Sequence, residues 1–430
     1  MRKMMIAAIL FLSVFSADCL RAQEILPVNA ATILQLAGAN NLTVKEYDLR
    51  YKQALADQIK AGEWWLPTLR AGVSAHYLNG AAMNTDGRIF TGLNQNNLWA
   101  SLGFSAEIDF NKGRYEYLAS KQIAEANRYE SAAQRNQVIL QALQTYFDMQ
   151  AAQESYLLLD ALAKQADLLA RQLKIQVDAG LRYQSEYLLA RSSQQHYMFQ
   201  ALQSKIDQAK LSVQLISLLN LGQNKQLISA DTVFMPIKLQ EQPQSQTDSD
   251  WKARPEYQSL QSALLGYQTL RKISATGFAL PRLGIGTDDG LFGKIANPVY
   301  NTYQLNTSLV WSLPLGRLFK HGELLRQDAR IALQENSLAQ FQNQFIREMA
   351  DAQQQISLTQ NQLQASANAA AMAQEALTQS RQRQQLGTAK AFEVIQAQQV
   401  YLQIKLDQVN IITAYNKAQY AYKVALGEIL

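Results

Sequence analysis

The feature that most constrains this chain is a helical run of unusual length that begins near Lys112. After Gly113, about sixty residues pass without a proline, and apolar side chains recur along them at helical spacing. Gly180 can take the left-handed conformation that closes a helix, so we expect one helix over residues 112–177. At about 1.5 Å per residue this helix would be on the order of 100 Å long. No ordinary globular domain buries such a rod.

The pattern of the first half of the chain returns in the second half. Residues 174–190 align with residues 381–397 at a constant offset, which pairs Gly180 with Gly387. Two further blocks recur upstream in the same order: Leu-Pro-x-Leu-x-x-Gly at 66–72 and 280–286, and Gly-Arg at 113–114 and 316–317. Three matched blocks in one order indicate a tandem duplication.

The duplication predicts two repeats joined by a linker. Repeat 1 covers residues 23–221 and repeat 2 covers residues 251–430. The segment 222–250 is polar in its second part and forms an equatorial segment or linker, with a short strand expected within 228–237. The predicted elements are helix 28–63, hairpin 68–110, helix 112–177 and helix 185–221 in repeat 1, and helix 252–278, hairpin 282–313, helix 316–385 and helix 388–427 in repeat 2.

Alternating hydropathy predicts the strands of each hairpin. Apolar side chains occupy every second position over residues 98–110, with small polar side chains between them, and shorter stretches at 69–77 and 303–313 do the same. We expect the polar segments 79–96 and 288–301 to be the hairpin loops. The polar face is small and wettable, as in the lumen of an outer-membrane barrel, whereas the inner face of a soluble sandwich would be large and apolar.

The number of strands predicts an oligomer. One chain offers four strands, but a membrane-spanning sheet cannot leave an edge in lipid, and single-chain barrels begin at about eight strands. Two copies would give eight strands and three would give twelve. Side chains fill an eight-stranded barrel, so a conduit favours the trimer.

These motifs together resemble the TolC-like outer-membrane efflux proteins. A helix ending in Trp65-Leu66-Pro67, two strands, and Gly-Arg opening a long helix that turns at a glycine all occur twice. Arg254-Pro255-Glu256 and the Trp311–Gly316 segment are also typical of that family. The resemblance covers nearly the whole mature chain. It implies a mixed fold in which three chains share a 12-stranded transmembrane β-barrel above a long periplasmic coiled-coil barrel of α-helices.

The resemblance also implies a function and partners. The chain would be the outer-membrane exit duct of a tripartite efflux or type I secretion system in a Gram-negative-type bacterium. It would passively conduct substrates received from a periplasmic adaptor (membrane fusion) protein and an inner-membrane transporter. Its other partners would be two further copies of itself and outer-membrane lipid, with no cofactor. In the family, the helix turns meet the adaptor, and the matching residues here are Ala179, Gly180, Leu181, Leu386, Gly387 and Thr388.

An acidic gate is the second site that the resemblance implies. Glu393 follows Gly387 by six residues, where the family commonly places a carboxylate in the tunnel constriction, and three copies would form a ring that favours cations. The family's second acidic position is Gln396 here, so a single ring is expected. Glu186 is the equivalent of Glu393 in repeat 1. The alternative is that Glu393 is a solvated helix residue.

Aromatic side chains near the ends of the strands suggest a membrane-interface belt. Trp64 and Trp65 lie where a helix meets a strand, so they could belong either to the core or to such a belt. The predicted belt residues are Trp64, Trp65, Trp99, Tyr303 and Trp311.

The N-terminus and composition narrow the function further. Residues 1–22 resemble a signal peptide, and cleavage would leave no cysteine, since Cys19 is the only one. Lipid modification at Cys19 is disfavoured by Asp18. The formal charge of +5 falls to +3 without the net +2 of residues 1–22, which is too little over too long a chain to indicate nucleic-acid binding.

The remaining alternatives are weaker. A structural coiled-coil fibre would need heptads with charged flanks and would lack alternating strands. A metal-ion efflux component stays open, but the methionines are dispersed. His76, His196 and His321 are scattered and are not near cysteine or paired carboxylates at ligand spacing, so neither a metal site nor an enzyme is expected.

Overall fold

A computed structural model describes residues 24–84, 86–222, 224–231, 234–237, 250–276, 280–294, 298–312 and 321–428. The predicted signal peptide, most of the linker and the Gly316-Arg317 motif lie outside these residues. The elements, in chain order, are β1 (Glu24–Val28), α1 (Ala30–Asn40), α2 (Leu42–Gly62), β2 (Thr68–Met83), β3 (Ile89–Asp109), α3 (Lys112–Asp178), α4 (Gln184–Leu218), β4 (Lys225–Ser229), α5 (Pro255–Thr276), β5 (Arg282–Lys294), β6 (Val299–Val310), α6 (Gly322–Gln385) and α7 (Ala391–Ala425).

The chain divides into two units, which are described separately. The helical unit contains the described residues within 24–47, 131–255 and 342–428, and the sheet unit contains those within 48–130 and 256–341. None of the helices in the described part of the chain combines the length and hydropathy that a membrane span requires.

Four antiparallel strands form the sheet of the sheet unit, in the order β2-β3-β5-β6. The predicted loops 79–96 and 288–301 are wrong in extent. The strands continue to Met83 and Lys294 and resume at Ile89 and Val299. Asparagine and glycine are frequent among these outer strand residues, so the composition resembles a loop although the ladder of backbone hydrogen bonds continues.

Close contacts join the helices of the sheet unit. A Cβ added at Gly113 would lie 2.4 Å from the Trp64 ring, so that ring rests on the first turn of α3, and it also meets Phe110 edge to face with ring centroids 6.0 Å apart. Gln334 of α6 donates a hydrogen bond of 2.9 Å to the Leu260 carbonyl of α5, and Arg271 of α5 forms an ion pair with Asp328.

The helical unit is built around the long helices and a small parallel sheet of β1 and β4. Its largest core cluster packs Tyr146 and Phe147 of α3 with residues of β1, α1, α4, β4 and α7. The predicted helix 28–63 is interrupted at Asn41, whose backbone is extended and whose side chain accepts hydrogen bonds from the Thr43 and Val44 amides at 2.7 and 3.2 Å. Asn41 is thus the N-cap of α2.

Hydrogen bonds hold the segment after β4 against the helices. The Tyr146 hydroxyl donates to Asp231 Oδ2 at 2.6 Å and lies 3.0 Å from Ser229 Oγ. The Asn416 side chain of α7 accepts from the Ile237 amide at 2.8 Å and donates to the Met235 carbonyl at 3.2 Å. Burial, the bond to Asp231 and the nearby negative charge raise the pKa of the Tyr146 hydroxyl.

Candidate functional site

The two glycine turns have the same backbone structure. Gly180 and Gly387 have φ values of 73° and 75°, in the left-handed region that glycine tolerates best. The Gly180 amide donates to the carbonyl of Val177, and the next amide donates to the carbonyl of Gln176. Gly387 and Thr388 donate in the same pattern to Gln384 and Arg383. Both helices therefore end in a Schellman motif.

The predicted tip residues are all exposed. Leu181 and Leu386, one in each turn, are 74% and 78% exposed. Tyr183, which the sequence prediction missed, is 79% exposed beside the first turn. Both turns therefore end their helices and also leave large apolar side chains open to water. The six predicted residues are Ala179, Gly180, Leu181, Leu386, Gly387 and Thr388.

Glu393 lies in the first turn of α7 and has local partners. One carboxylate oxygen accepts a hydrogen bond of 3.2 Å from the Lys390 amide, which stabilises the helix start. The other oxygen lies 3.4 Å from Arg383 Nη1 in the last turn of α6. Gln396, one turn further along, is exposed. The pairing with Arg383 was not predicted, because it joins two helices across the turn.

Glu186 has an equivalent partner in repeat 1. Arg182 Nη1 lies 3.5 Å from Glu186 Oε2, and Arg182 Nη2 reaches the Ala389 carbonyl of the other turn at 3.5 Å. Both side chains of this pair are about four-fifths buried. The i,i+4 spacing of Arg182 and Glu186 is the sequence signal that could have found it.

A cluster of buried residues supports the tips. Leu169, Ala170 and Leu173 of α3 pack with Leu377 of α6 and with the first turns of α7. Arg381 forms a hydrogen bond to Gln165, and burial lowers the pKa of its guanidinium. Farther along α4, burial raises the pKa of the Tyr197 hydroxyl to about 12.

The sheet has one apolar and one polar face. The strand register brings alternate residues to the same side, and the apolar side is open, with Val73 72% exposed. Asp289 is an exception on this face, between Leu102 and Tyr303 in the register. The other large exposed residues of the apolar face are Leu69, Tyr77, Leu102, Phe104, Ile285, Leu291, Val299, Tyr303, Leu305 and Leu309.

Four charged side chains of the polar face form two pairs. Glu107 accepts a 3.0 Å hydrogen bond from Arg282, which also bonds Ser312 Oγ at 2.9 Å. Arg70 lies 3.9 Å from Asp288 across Gly103. A Cβ at Gly103 would lie only 2.5 Å from Asp288 Oδ1, so the glycine leaves room for that carboxylate.

The predicted aromatic belt is corrected by this register. Trp99 pairs with Ser74 and Phe292 on the polar face, whereas Tyr303 lies on the apolar face, so the two cannot share one belt. Trp64 is half-buried against α3. Trp65 and Trp311 are exposed. The alternation in the sequence already places Trp99 opposite the apolar positions of its strand and Tyr303 among the apolar positions of its own, so the two assignments to one belt were inconsistent.

Among the described residues, no group of three or more histidine, cysteine, aspartate or glutamate side chains could hold a metal ion. His76 lies on β2, His196 lies on α4, and His321 precedes α6 with a φ of 48°. The structure therefore does not bring the three histidines together on one element.

Solved structures share this fold. No family model and no curated protein matches the sequence. The outer-membrane channel CmeC of Campylobacter jejuni superposes with a TM-score of 0.79 at 20% identity, over 93% of this chain and 85% of that chain. VceC, an outer-membrane protein of Vibrio cholerae, gives 0.78 at 17% identity over 93% and 96%. The MtrE outer-membrane channel of Neisseria gonorrhoeae, in its open state, gives 0.78 at 14% over 93% and 89%. The resemblance predicted from the motifs is thus confirmed for the fold.

Proposed function

We propose that three copies of this chain, which has the fold of TolC-like outer-membrane channels, form an exit duct through the outer membrane. The duct would passively conduct substrates from a periplasmic adaptor and an inner-membrane transporter to the exterior, as part of a tripartite efflux or type I secretion system. The helical unit would lie in the periplasm.

The observation that carries this proposal is the open sheet. Within the described residues, β2 and β6 each leave an edge without a strand partner, and most large side chains of the apolar face are exposed to solvent. Unpaired edges cost several kcal/mol per group in lipid and invite aggregation in water. Joining β6 of one copy to β2 of the next removes both edges, and lipid covers the apolar face.

The height of the apolar face fits a bilayer. From Leu98 to Ile108, β3 rises about 34 Å at about 3.4 Å per residue. At the usual strand tilt of about 40°, this is roughly 26 Å along the barrel axis, close to the apolar band of about 25 Å in such barrels. Three copies give twelve strands, whereas the eight strands of two copies would be filled by side chains.

Exposed apolar side chains on the helices support the same assembly. Surface helices rarely leave so many large apolar groups in water. We therefore expect neighbouring copies to pack against these helix surfaces. On α4 the exposed apolar side chains are Met198, Phe199, Leu202, Ile206 and Val213, and on α6 they are Leu325, Leu333, Ile346, Leu358 and Met372.

The adaptor would dock on the two Schellman turns. Leu181, Tyr183 and Leu386 offer an apolar surface that a hairpin tip of the adaptor could cover. A photo-crosslinking residue at Leu386 should capture an adaptor in intact cells. The same group at Leu168, which is 60% exposed on α3, should not; equal capture at both positions would contradict tip docking.

Glu393 is the proposed gate residue, with Arg383 as its modulator. The ion pair partly neutralises each carboxylate, so the ring would attract cations less strongly than three free glutamates. Gln396 would supply a neutral second level, and Glu186 a minor contribution.

The decisive experiment measures the mass of the detergent-purified mature protein and its single-channel conductance in planar bilayers. We expect a trimer with stable openings, and the heat-dissociated monomer of the same preparation serves as the control. A monomer as the native species, or a trimer without conductance, would overturn the proposal.

A further inference from the structure

One row of the polar face is aromatic. The register places Trp99 of β3, Phe292 of β5 and Tyr300 of β6 side by side on three neighbouring strands, with Ser74 of β2 completing the row. Because the strands keep their register without a bulge here, all three rings lie on the same face as the Glu107–Arg282 pair. Phe292 and Tyr300 lie within residues 288–301, which the sequence predicts as a loop.

The surrounding residues on that face are small or polar. The next row toward the helices contains Gly72, Ser101, Gly290 and Thr302. A Cβ at Gly290 would lie 2.1 Å from the Ala100 carbonyl oxygen, so this position has no room for a side chain and presents only backbone. The aromatic rings therefore border a floor without large side chains.

The rings differ in how firmly they are held. Trp99 and Phe292 meet edge to face, with centroids 5.8 Å apart and planes inclined by 71°. Tyr300 is 68% exposed. Lys294 follows Phe292 by two residues and points to the same side of β5, so its ammonium group adds a positive charge beside the rings.

We propose that Trp99, Phe292, Tyr300 and Lys294 form a binding patch for planar aromatic solutes that carry a negative charge. The inference rests on the proposed function, which makes the polar face the wall of the duct. An aromatic solute in transit could stack on the exposed rings over the bare floor, with its anionic group toward Lys294. Each copy would carry one patch, so a trimer would hold three.

The test uses the reconstituted trimer and two probes of equal charge. Naphthalene-2-sulfonate should cause brief, resolvable blocks of the single-channel current, and cyclohexanesulfonate should cause few. Phe292→Leu and Tyr300→Leu should each shorten the naphthalene blocks about fivefold, as expected for one lost ring contact. Lys294→Gln should weaken the blocks with naphthalene-2-sulfonate and leave those with neutral 2-naphthol unchanged.

Tyr303→Leu is the matched control, because Tyr303 lies on the same strand, is 67% exposed and faces the other side. In addition, Tyr300→Cys should react with a charged, membrane-impermeant thiol reagent, and Tyr303→Cys should not. The mature chain would otherwise lack cysteine, since the single one is Cys19.

The outcomes separate the two proposals. Normal conductance with equal block by both sulfonates, or with block unchanged in Phe292→Leu and Tyr300→Leu, would overturn the binding patch alone. Labelling of the Tyr303→Cys variant rather than the Tyr300→Cys variant would place the rings outside the duct and also overturn it. A protein without conductance would overturn the proposed function and the patch with it.

Discussion

Lipid exposure of the apolar face can be tested by placing one arginine at different positions of β3. Phe104 lies near mid-height of the apolar face, between Leu69 and Thr287, and Ile108 lies at its lower end. Ser105 is the neighbour of Phe104 on the polar face. Leu102 is unsuitable, because an arginine there would face Asp289 across the strands.

The expected magnitudes follow from depth. Arginine on a lipid-facing strand costs about 2–4 kcal/mol at the bilayer midplane and about 0–1 kcal/mol near the interfaces. Ile108 lies four residues from Phe104, or roughly 10 Å along the barrel axis at the usual rise and tilt. We therefore expect Phe104→Arg to lose about 2–4 kcal/mol per chain, and Ile108→Arg about 1 kcal/mol or less. Ser105→Arg should cost little, since its guanidinium would reach water in the duct.

The assay is equilibrium unfolding in urea of the protein refolded into liposomes, with Phe104→Leu as the baseline for the lost ring. Of the three arginine variants, Ser105→Arg should be the most stable, Ile108→Arg intermediate and Phe104→Arg the least stable. Equal losses at Phe104 and Ser105, or a larger loss at Ser105, would refute the assignment of the apolar face to lipid.

Three further predictions concern other parts of the molecule. Glu393→Gln should weaken block of the open channel by hexamminecobalt(III) and Arg383→Gln should strengthen it, while Glu186→Gln should change it little; unchanged block in both variants would remove the pair from the gate. Tyr146→Phe should destabilise the helical unit by about 1.5–3 kcal/mol through loss of the bond to Asp231, whereas Tyr420→Phe, whose hydroxyl bonds no described residue, should cost less. Because the pKa of Tyr146 is raised in the folded state, its contribution is complete below about pH 10 and is lost as pH rises above that value, so the stability difference between the wild type and Tyr146→Phe should narrow above pH 10 in urea unfolding followed by circular dichroism. Asp289→Leu should stabilise the barrel by about 1–2 kcal/mol because it removes a carboxylate from the apolar face, and Asp288→Leu on the other face should not; a loss of stability on Asp289→Leu would point to a polar partner for that carboxylate.

The long helices could be predicted from sequence because their signals are local. The helix predicted at 112–177 runs from Lys112 to Asp178, and the turns at Gly180 and Gly387 need only glycine and its neighbours. Helix periodicity and the left-handed preference of glycine act within a few residues, so no tertiary information was needed.

Features that depend on distant partners were missed. β1 was not predicted, because its five residues form a strand only by pairing with β4. The break at Asn41 was missed because an asparagine within a helical pattern gives a weak signal. The break also depends on a distant partner, since the Asn41 side-chain amide donates a hydrogen bond of 2.6 Å to the Leu218 carbonyl. The outer ends of the hairpins were assigned to loops because asparagine and glycine disfavour strands except where neighbouring strands complete the ladder.

The candidate sites divide in the same way. The exposure of the tip residues follows from the predicted turns. The Arg383–Glu393 pair joins two helices, so it depends on how these helices pack and could not be predicted from the sequence. The aromatic row on the polar face is the clearest case. Trp99 alone suggested a membrane interface, and only the register with β5 and β6 reveals that Phe292 and Tyr300 lie beside it.

The pairing of β1 with β4 has a consequence for biogenesis. Glu24 aligns with Lys225, so β1 cannot form its hydrogen bonds to β4 until about two hundred further residues are available. A chain exported N-terminus first would therefore expose β1 for most of its translocation, and such non-local closure is slow. β1 would therefore stay unpaired for longer than the helices, whose hydrogen bonds are local.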